Sequence, residues 1–265
     1  MPIYGIIKFN MRGDMMLKMN EKLEPLGNNV EIIVSECYHF STDTILLSDF
    51  ASPKESDCVV ELGTGCGTMP LLWCREKSYK ELVALDIQED AIDMLTRSIK
   101  HNTENGIENV SCITPLCADL KDLKGKLPFG HYDLVVCNPP YKLSGSGIKN
   151  PEKEKLLARH EESCTLDDIC ECASKLLQFS GRFCICQRPE RLTDVMESMR
   201  KFEIEPKRLR LIQQRLNKEP KLFLLEGRYK GNRGFMQVLP TLFIENEQGD
   251  FSKEMKEIYG LYKSE

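Results

Sequence analysis

Residues 57–74 read DCVVELGTGCGTMPLLWC, and this stretch decides the fold. The run Cys58–Leu62 is apolar except for Glu61, dense enough for a strand buried on both faces. Three glycines, Gly63, Gly65 and Gly67, then turn the chain into the helical pattern TMPLLWCREK. Pro70 falls in the first turn of that helix, where its missing N–H costs no hydrogen bond. A buried strand feeding a helix through a glycine-rich turn is the opening unit of a doubly wound α/β sheet.

The pattern repeats outward from there. LVALDI (82–87) reads as a second strand, followed by a helix in which Ala91, Leu95, Ile99 and Asn102 recur at helical spacing and Asn105-Gly106 supplies the stop. VSCITPLCADL (110–120) reads as a third strand and DLVVCNPPY (133–141) as a fourth. Thr165 opens a capping box, TLDD, for a helix running to Phe179, and Gly181 turns the chain into RFCICQ, a fifth strand. A helix over 191–201 follows. RLRLIQQR and KLFLLEGRY lie too close together for a helix between them and read as an antiparallel hairpin. The expectation is an α/β fold: a doubly wound, mostly parallel sheet with an antiparallel C-terminal hairpin. One domain over 19–265 is expected, with 19–56 as a short N-terminal cap. Residues 1–18, crowded with methionines, read as a poorly ordered extension.

Composition narrows the class. A chain of 265 residues with 41% hydrophobic content can bury a sizeable core. It has no apolar run of about 18 residues to span a membrane, and its N-terminus lacks the pattern of a secretory signal. Twelve cysteines without such a signal point to a reducing, cytoplasmic setting rather than to disulfides. The pairs Cys170/Cys172 and Cys184/Cys186 read as core, not metal ligands: two-residue spacing splits the first across a helix and sets the second on one strand face. Net charge is −5, yet the segment 200–234 carries eleven Lys and Arg against four Glu. A local excess of this size on an acidic chain marks either a solvated edge or a polyanion-binding surface.

The glycine turn reads E-x-G-x-G-x-G, with Thr68 where a dinucleotide fingerprint needs glycine. An acid two positions before the first glycine suits S-adenosyl-L-methionine (SAM), whose ammonium a carboxylate can offset and which has no pyrophosphate to cradle. Asp86 closes the second strand about 20 residues beyond the glycines, placed to accept ribose hydroxyls. Asp119 closes the third, where a carboxylate can accept from an adenine amine; each could instead cap the following helix. Asn138 closes the fourth strand on the same edge, followed by Pro139, Pro140 and Tyr141. An exocyclic NH2 on an aromatic base is a poor nucleophile because its lone pair is delocalised. The Asn138 side-chain oxygen and the Pro139 carbonyl can each accept one of its N–H bonds, freeing the lone pair for a methyl group. The prolines stiffen that presentation and Tyr141 offers a stacking face. Proline as a strand terminator is the plainer reading of the tetrapeptide taken alone.

With ELGTGCG, ALDI, CADL and NPPY in order, the chain resembles the class I SAM-dependent methyltransferases of the amino-methylating branch. More narrowly it resembles the bacterial tRNA1(Val) adenine-N6 methyltransferases, through NEKLEPLG, YHFSTDTILLSDFA, LARHE, RPERL, EPKRLRLI and a closing IYG. The resemblance implies a seven-stranded sheet, SAM as cofactor and tRNA as substrate. It also implies Thr42 and Asp43 near the cofactor, and a cofactor-binding set of Glu61, Gly63, Gly65, Gly67, Asp86, Ile87, Asp119, Leu120 and Asn138. Thr42 or Ser41 could equally serve as a helix N-cap. The basic segment, with Lys207, Arg208, Arg210, Lys230 and Arg233, is expected to contact tRNA phosphates, the target base being extruded to reach Asn138. Protein glutamine N5-methyltransferases share NPPY, but they carry a long N-terminal recognition region, and barely 40 residues precede FSTD here. Methylation of rRNA or DNA and an inactive SAM- or RNA-binding protein are the remaining readings. Arg159, His160 and Glu161 match the family without a physical role.

Overall fold

The computed structural model describes residues 17–139 and 164–260. Residues 1–16, Pro140, Tyr141 and Arg159–Glu161 lie outside them.

The strands expected from the glycine turn outward are present. They are β3 (Cys58–Leu62), β4 (Glu81–Asp86), β5 (Ile113–Cys117), β6 (Tyr132–Cys137) and β7 (Leu177–Gln187), followed by β8 (Ile204–Gln213) and β9 (Pro220–Tyr229). They lie in the order β5-β4-β3-β6-β7-β9-β8, parallel from β5 through β7 and antiparallel where β9 inserts between β7 and β8. Two further two-residue strands, β10 (Gln237–Val238) and β11 (Leu242–Phe243), pair with β8 beyond the expected seven. Pro115 is tolerated in β5 because β5 is the edge strand.

Alternate residues of each strand feed opposite cores. Val59, Leu82, Ala84, Leu134, Val136 and Leu224 pack beneath α1 (Thr42–Ala51), α2 (Thr68–Trp73) and α3 (Glu89–Glu104). Val60, Leu62, Val83, Val135, Ile185 and Leu225 face α4 (Leu166–Leu176) and α5 (Leu192–Lys201). A last short helix, α6 (Lys253–Tyr259), adds Met255 to the first core. Helices on both faces of a mainly parallel sheet make the doubly wound arrangement expected.

Three boundaries differ from the sequence reading. The helix opened by the Thr165–Asp168 capping box stops at Leu176, not Phe179. The Lys175 and Leu176 carbonyls accept from the Gly130 and His131 N–H groups, so the last turn is satisfied early and β7 begins at once. The helix α2 ends at Trp73, and residues 108–112 form a 3-10 turn before β5. The segment before the glycines also holds a hairpin that periodicity did not reveal: β1 (Glu21–Gly27) pairs antiparallel with β2 (Val30–Ser35). Asn28 and Asn29 turn it with φ of 49° and 61°, the left-handed pair that suits asparagine in a two-residue turn. Ser98 and Asn102 of α3 bind it from below, accepting from the Ile33 and Glu31 N–H groups.

Candidate functional site

The carboxyl ends of β3, β4 and β6 lie side by side, with Leu62 opposite Leu85 on one flank and Cys137 on the other. The chain leaving β3 is pinned to β4 at once, because the Gly63 and Thr64 N–H groups both donate to the Leu85 carbonyl (2.8 and 2.9 Å). All three glycines have positive φ: 73°, 55° and 88°. A Cβ on Gly67 would sit 2.3 Å from Leu95 Cδ1, so α2 can start there only without a side chain. Gly63 and Gly65 face open space instead, a backbone surface that a ligand can approach.

Acids surround that surface, held by neutral donors. Asp86 is buried and takes two backbone N–H bonds, from Gly65 to Oδ2 (2.8 Å) and from Gln88 to Oδ1 (3.0 Å). Glu61 is also buried and accepts the Thr64 hydroxyl at 2.5 Å. Burial pushes the Glu61 carboxyl well above the usual carboxylate range, against the pull of Thr64 and with the charge of Asp86 adding to the rise. A cation placed beside it would reverse that shift. Asp119 lies past the end of β5, where Oδ1 accepts from the Lys121 N–H (2.9 Å), so it closes a turn while remaining part-exposed. Ile87 is 51% exposed beside Asp86, and Leu120 is half-buried.

Asn138 follows β6 on the same edge, one strand spacing from the glycine turn, about 4.8 Å. Its Nδ2 donates to the Thr44 hydroxyl of α1 at 3.1 Å, across 94 residues of sequence. An amide has two ends of nearly equal size and opposite hydrogen-bonding sense. Engaging the NH2 end on Thr44 sets the Oδ1 end as the acceptor this group presents. Thr42 accepts from the Tyr259 hydroxyl (3.2 Å), which joins α6 to the start of α1. Ser41 is the N-cap residue of α1 by position, with no side-chain capping bond. Tyr38 reaches the same edge: its hydroxyl donates to Gln88, and burial together with Asp86 and Asp90 raises it to about 12.

Adjacent parallel strands set Glu61, the three glycines, Asp86, Ile87, Asp119, Leu120, Asn138 and Pro139 along one sheet edge, and Thr42 and Asp43 begin α1, whose Thr44 meets Asn138. The structure adds Tyr38, Thr44, Thr64, Gln88 and Tyr259. Tyr38 and Thr44 stand within the YHFSTDTILLSDFA stretch and Tyr259 within IYG, but no spacing rule says that these stretches touch.

The basic residues are placed elsewhere. Cys137 is level with Ile185, Leu225 and Leu209, so Arg210 stands at the height of Asn138 but three strands away. Arg210 is spent on Glu254 (2.5 Å) and the Pro240 carbonyl (3.1 Å). Arg208 pairs with Glu226 at 2.7 Å and lies over the Phe50 ring. Lys207 donates to the Asn232 and Gly234 carbonyls. Lys230 and Arg233 follow β9 at the opposite end of the sheet, roughly 20 Å along the strands at ~3.4 Å per residue. None of the five is brought next to Asn138.

The sequence matches the family described as the methyltransferase small domain over residues 40–199, more than half of the chain. A protein of Pedobacter heparinus named tRNA1(Val) (adenine(37)-N6)-methyltransferase is 30% identical over 143 residues, 54% of this chain and 57% of that one, so the match spans little more than half of that relative. A Parabacteroides distasonis protein of the same name is 29% identical over 186 residues, covering 70% and 74%. Among solved structures, a predicted O-methyltransferase of Agrobacterium tumefaciens superimposes with a TM-score of 0.64 at 18% identity, over 83% of this chain and 96% of that one, a likeness of fold.

Proposed function

The chain belongs to the methyltransferase small domain family, and from that membership we propose that it moves a methyl group from SAM to the N6 amine of an adenine in tRNA, as the names of its relatives say of them. The observation that carries the chemistry is Asn138 at the carboxyl edge of β6, beside the glycine turn, with its amide NH2 held by Thr44.

The residues present fit such a cofactor. The bare backbone at Gly63 and Gly65 would admit it, Glu61 would offset its ammonium, and Asp86 would accept from the ribose hydroxyls. Asp119 would accept from the adenine amine, with Ile87 and Leu120 as apolar neighbours in sequence to Asp86 and Asp119. When bound, the cofactor supplies an electrophilic methyl on a sulfonium. Asn138 Oδ1 and the Pro139 carbonyl accept the two N–H bonds of the incoming amine, which turns its lone pair toward that methyl. No base is needed first, because the methylated amine is acidic and sheds its proton to water. A flipped-out adenine meets these demands, and so does an amide NH2 of a protein glutamine.

Of the basic residues, Lys230 and Arg233 are those we assign to the body of the tRNA, remote from the target base. Incubation with methyl-labelled SAM and separate pools of tRNA, rRNA, DNA and release-factor protein tests the proposal. Label in tRNA, recovered as N6-methyladenine, is the expected result. Label confined to the protein pool would replace the adenine reading with glutamine methylation.

A further inference from the structure

The twelve cysteines are all unbridged, and most are core residues. Burial pushes the thiols of Cys66, Cys137, Cys170, Cys172 and Cys184 upward, as it does for inert thiols. Two cysteines behave differently. Cys74 is the C-cap of α2 and Cys112 ends the 3-10 turn before β5, and their sulfurs lie 3.6 Å apart. Cys74 is fully buried, whereas Cys112 is part-exposed. Cys112 Sγ also receives the Tyr79 N–H at 3.4 Å. Cys112 Sγ also lies 3.2 Å from the Asn109 carbonyl, to which its S–H donates. The contact with Cys74 and the Tyr79 N–H pull the Cys112 thiol down against the opposing effect of burial, and the same contact drives Cys74 up. Of the two sulfurs, Cys112 is the one that solvent can reach.

We propose that Cys74 and Cys112 form a thiol–disulfide exchange site, in which Cys112 attacks a small-molecule disulfide of the oxidised-glutathione type and Cys74 resolves the adduct into an internal bridge. In the first step Cys112 bonds to one sulfur of the disulfide, whose S–S bond breaks and releases one thiolate. In the second, Cys74 gives up its proton, bonds to the Cys112 sulfur 3.6 Å away and expels the other half as a second thiolate. The protein loses two electrons and two protons, and the small disulfide gains them as two thiols. Forming a bond of about 2.05 Å closes the 3.6 Å gap between the sulfurs by ~1.5 Å. The order of attack follows from burial, since the reagent meets Cys112 and cannot meet Cys74. The bridge would tie the far end of the helix that starts at Gly67 to the strand that leads to Asp119.

The full chain, incubated with oxidised glutathione and digested without reduction, tests this. The expected result is a crosslinked peptide joining residues 74 and 112, with the titratable thiols falling from twelve to ten. Cys74→Ser should instead accumulate glutathione on Cys112, and Cys112→Ser should give neither product. If either variant fails to fold, graded alkylation of the unaltered protein decides. Cys112 should lose its reactivity toward the reagent together with Cys74 once oxidised glutathione is added, and both should recover it after reduction. Glutathione found on Cys37 or Cys117 while Cys112 stays reduced, or Cys112 alkylated undiminished after the oxidant, would overturn the proposal.

Discussion

The two halves of the sheet handle buried charge in opposite ways. On the parallel half, Glu61 and Asp86 are held by a hydroxyl and by backbone N–H groups, with no cation among those partners. On the antiparallel half the buried acids are matched to guanidinium groups. Glu226 takes Arg208 at 2.7 Å and Arg182 at 3.4 Å, Arg182 also reaches Asp57 at 3.4 Å, and Arg200 grips Glu205 at 2.8 Å. An acid satisfied by neutral donors has no counter-ion and can still attract a cation. An acid satisfied by arginine is electrically finished. The first arrangement binds ligands and the second holds strands together, which is why a count of basic residues in 200–234 does not locate a binding surface.

That contrast can be broken at several points. The largest effect should come from Glu226→Ala, which takes the carboxylate from Arg208 and leaves Arg182 only Asp57 and the Ala51 carbonyl. Unfolding in urea should show a loss of about 3–5 kcal/mol, and a loss below about 1 kcal/mol would mean that the pairs are ornamental. Next, Asn138→Ala should cut methyl transfer about 10²–10³-fold while calorimetry shows SAM binding unchanged; surviving turnover would remove the orienting role given to this amide. Thr44→Val should lower the turnover number about tenfold at unchanged KM for SAM, with Thr44→Ser restoring it, because a single neutral hydrogen bond to the amide is lost.

Glu61→Gln sharpens the comparison from the other side. Its carboxyl is raised in the folded state, so it stabilises the protein at low pH, and that contribution is lost as pH climbs through its folded value. The ligand-free Gln variant should therefore melt higher than the unaltered protein at neutral pH, yet bind SAM more weakly. In the unaltered protein SAM affinity should rise with pH across the same titration, and a flat profile would show that Glu61 does not meet the ammonium. The smallest effect is expected from Lys230→Glu with Arg233→Glu. Binding of tRNA should weaken several-fold and its log–log salt slope should flatten by about 1–2 units, with transfer to a saturating substrate unchanged. An identical slope would leave this end of the sheet as a solvated edge.

Much of the fold was legible because its signals are local. Cys58–Leu62 is apolar on both faces, the glycines need positive φ, and Thr165 and Asp168 cap a helix within four residues. The hairpin at Gly27–Val30 was missed although Asn28-Asn29 is a turn signal, because Glu24-Pro25 and Glu31 blur the alternation around it. The end of α4 was misplaced because its stop is not in its own sequence: carbonyls 175 and 176 are taken by residues 130 and 131.

The order of acids, glycines and amide along the chain was set by sequence alone, since each one closes a strand and parallel strands bring their carboxyl ends to one edge. Which partner each group meets there was decided only by the tertiary structure. Thr44 on Asn138, Tyr259 on Thr42 and Glu226 on two arginines join positions 94, 217, 18 and 44 residues apart. Hydrogen bonds and ion pairs are set by distances of about 3 Å, and no periodicity along a chain fixes those until the helices have packed on the sheet.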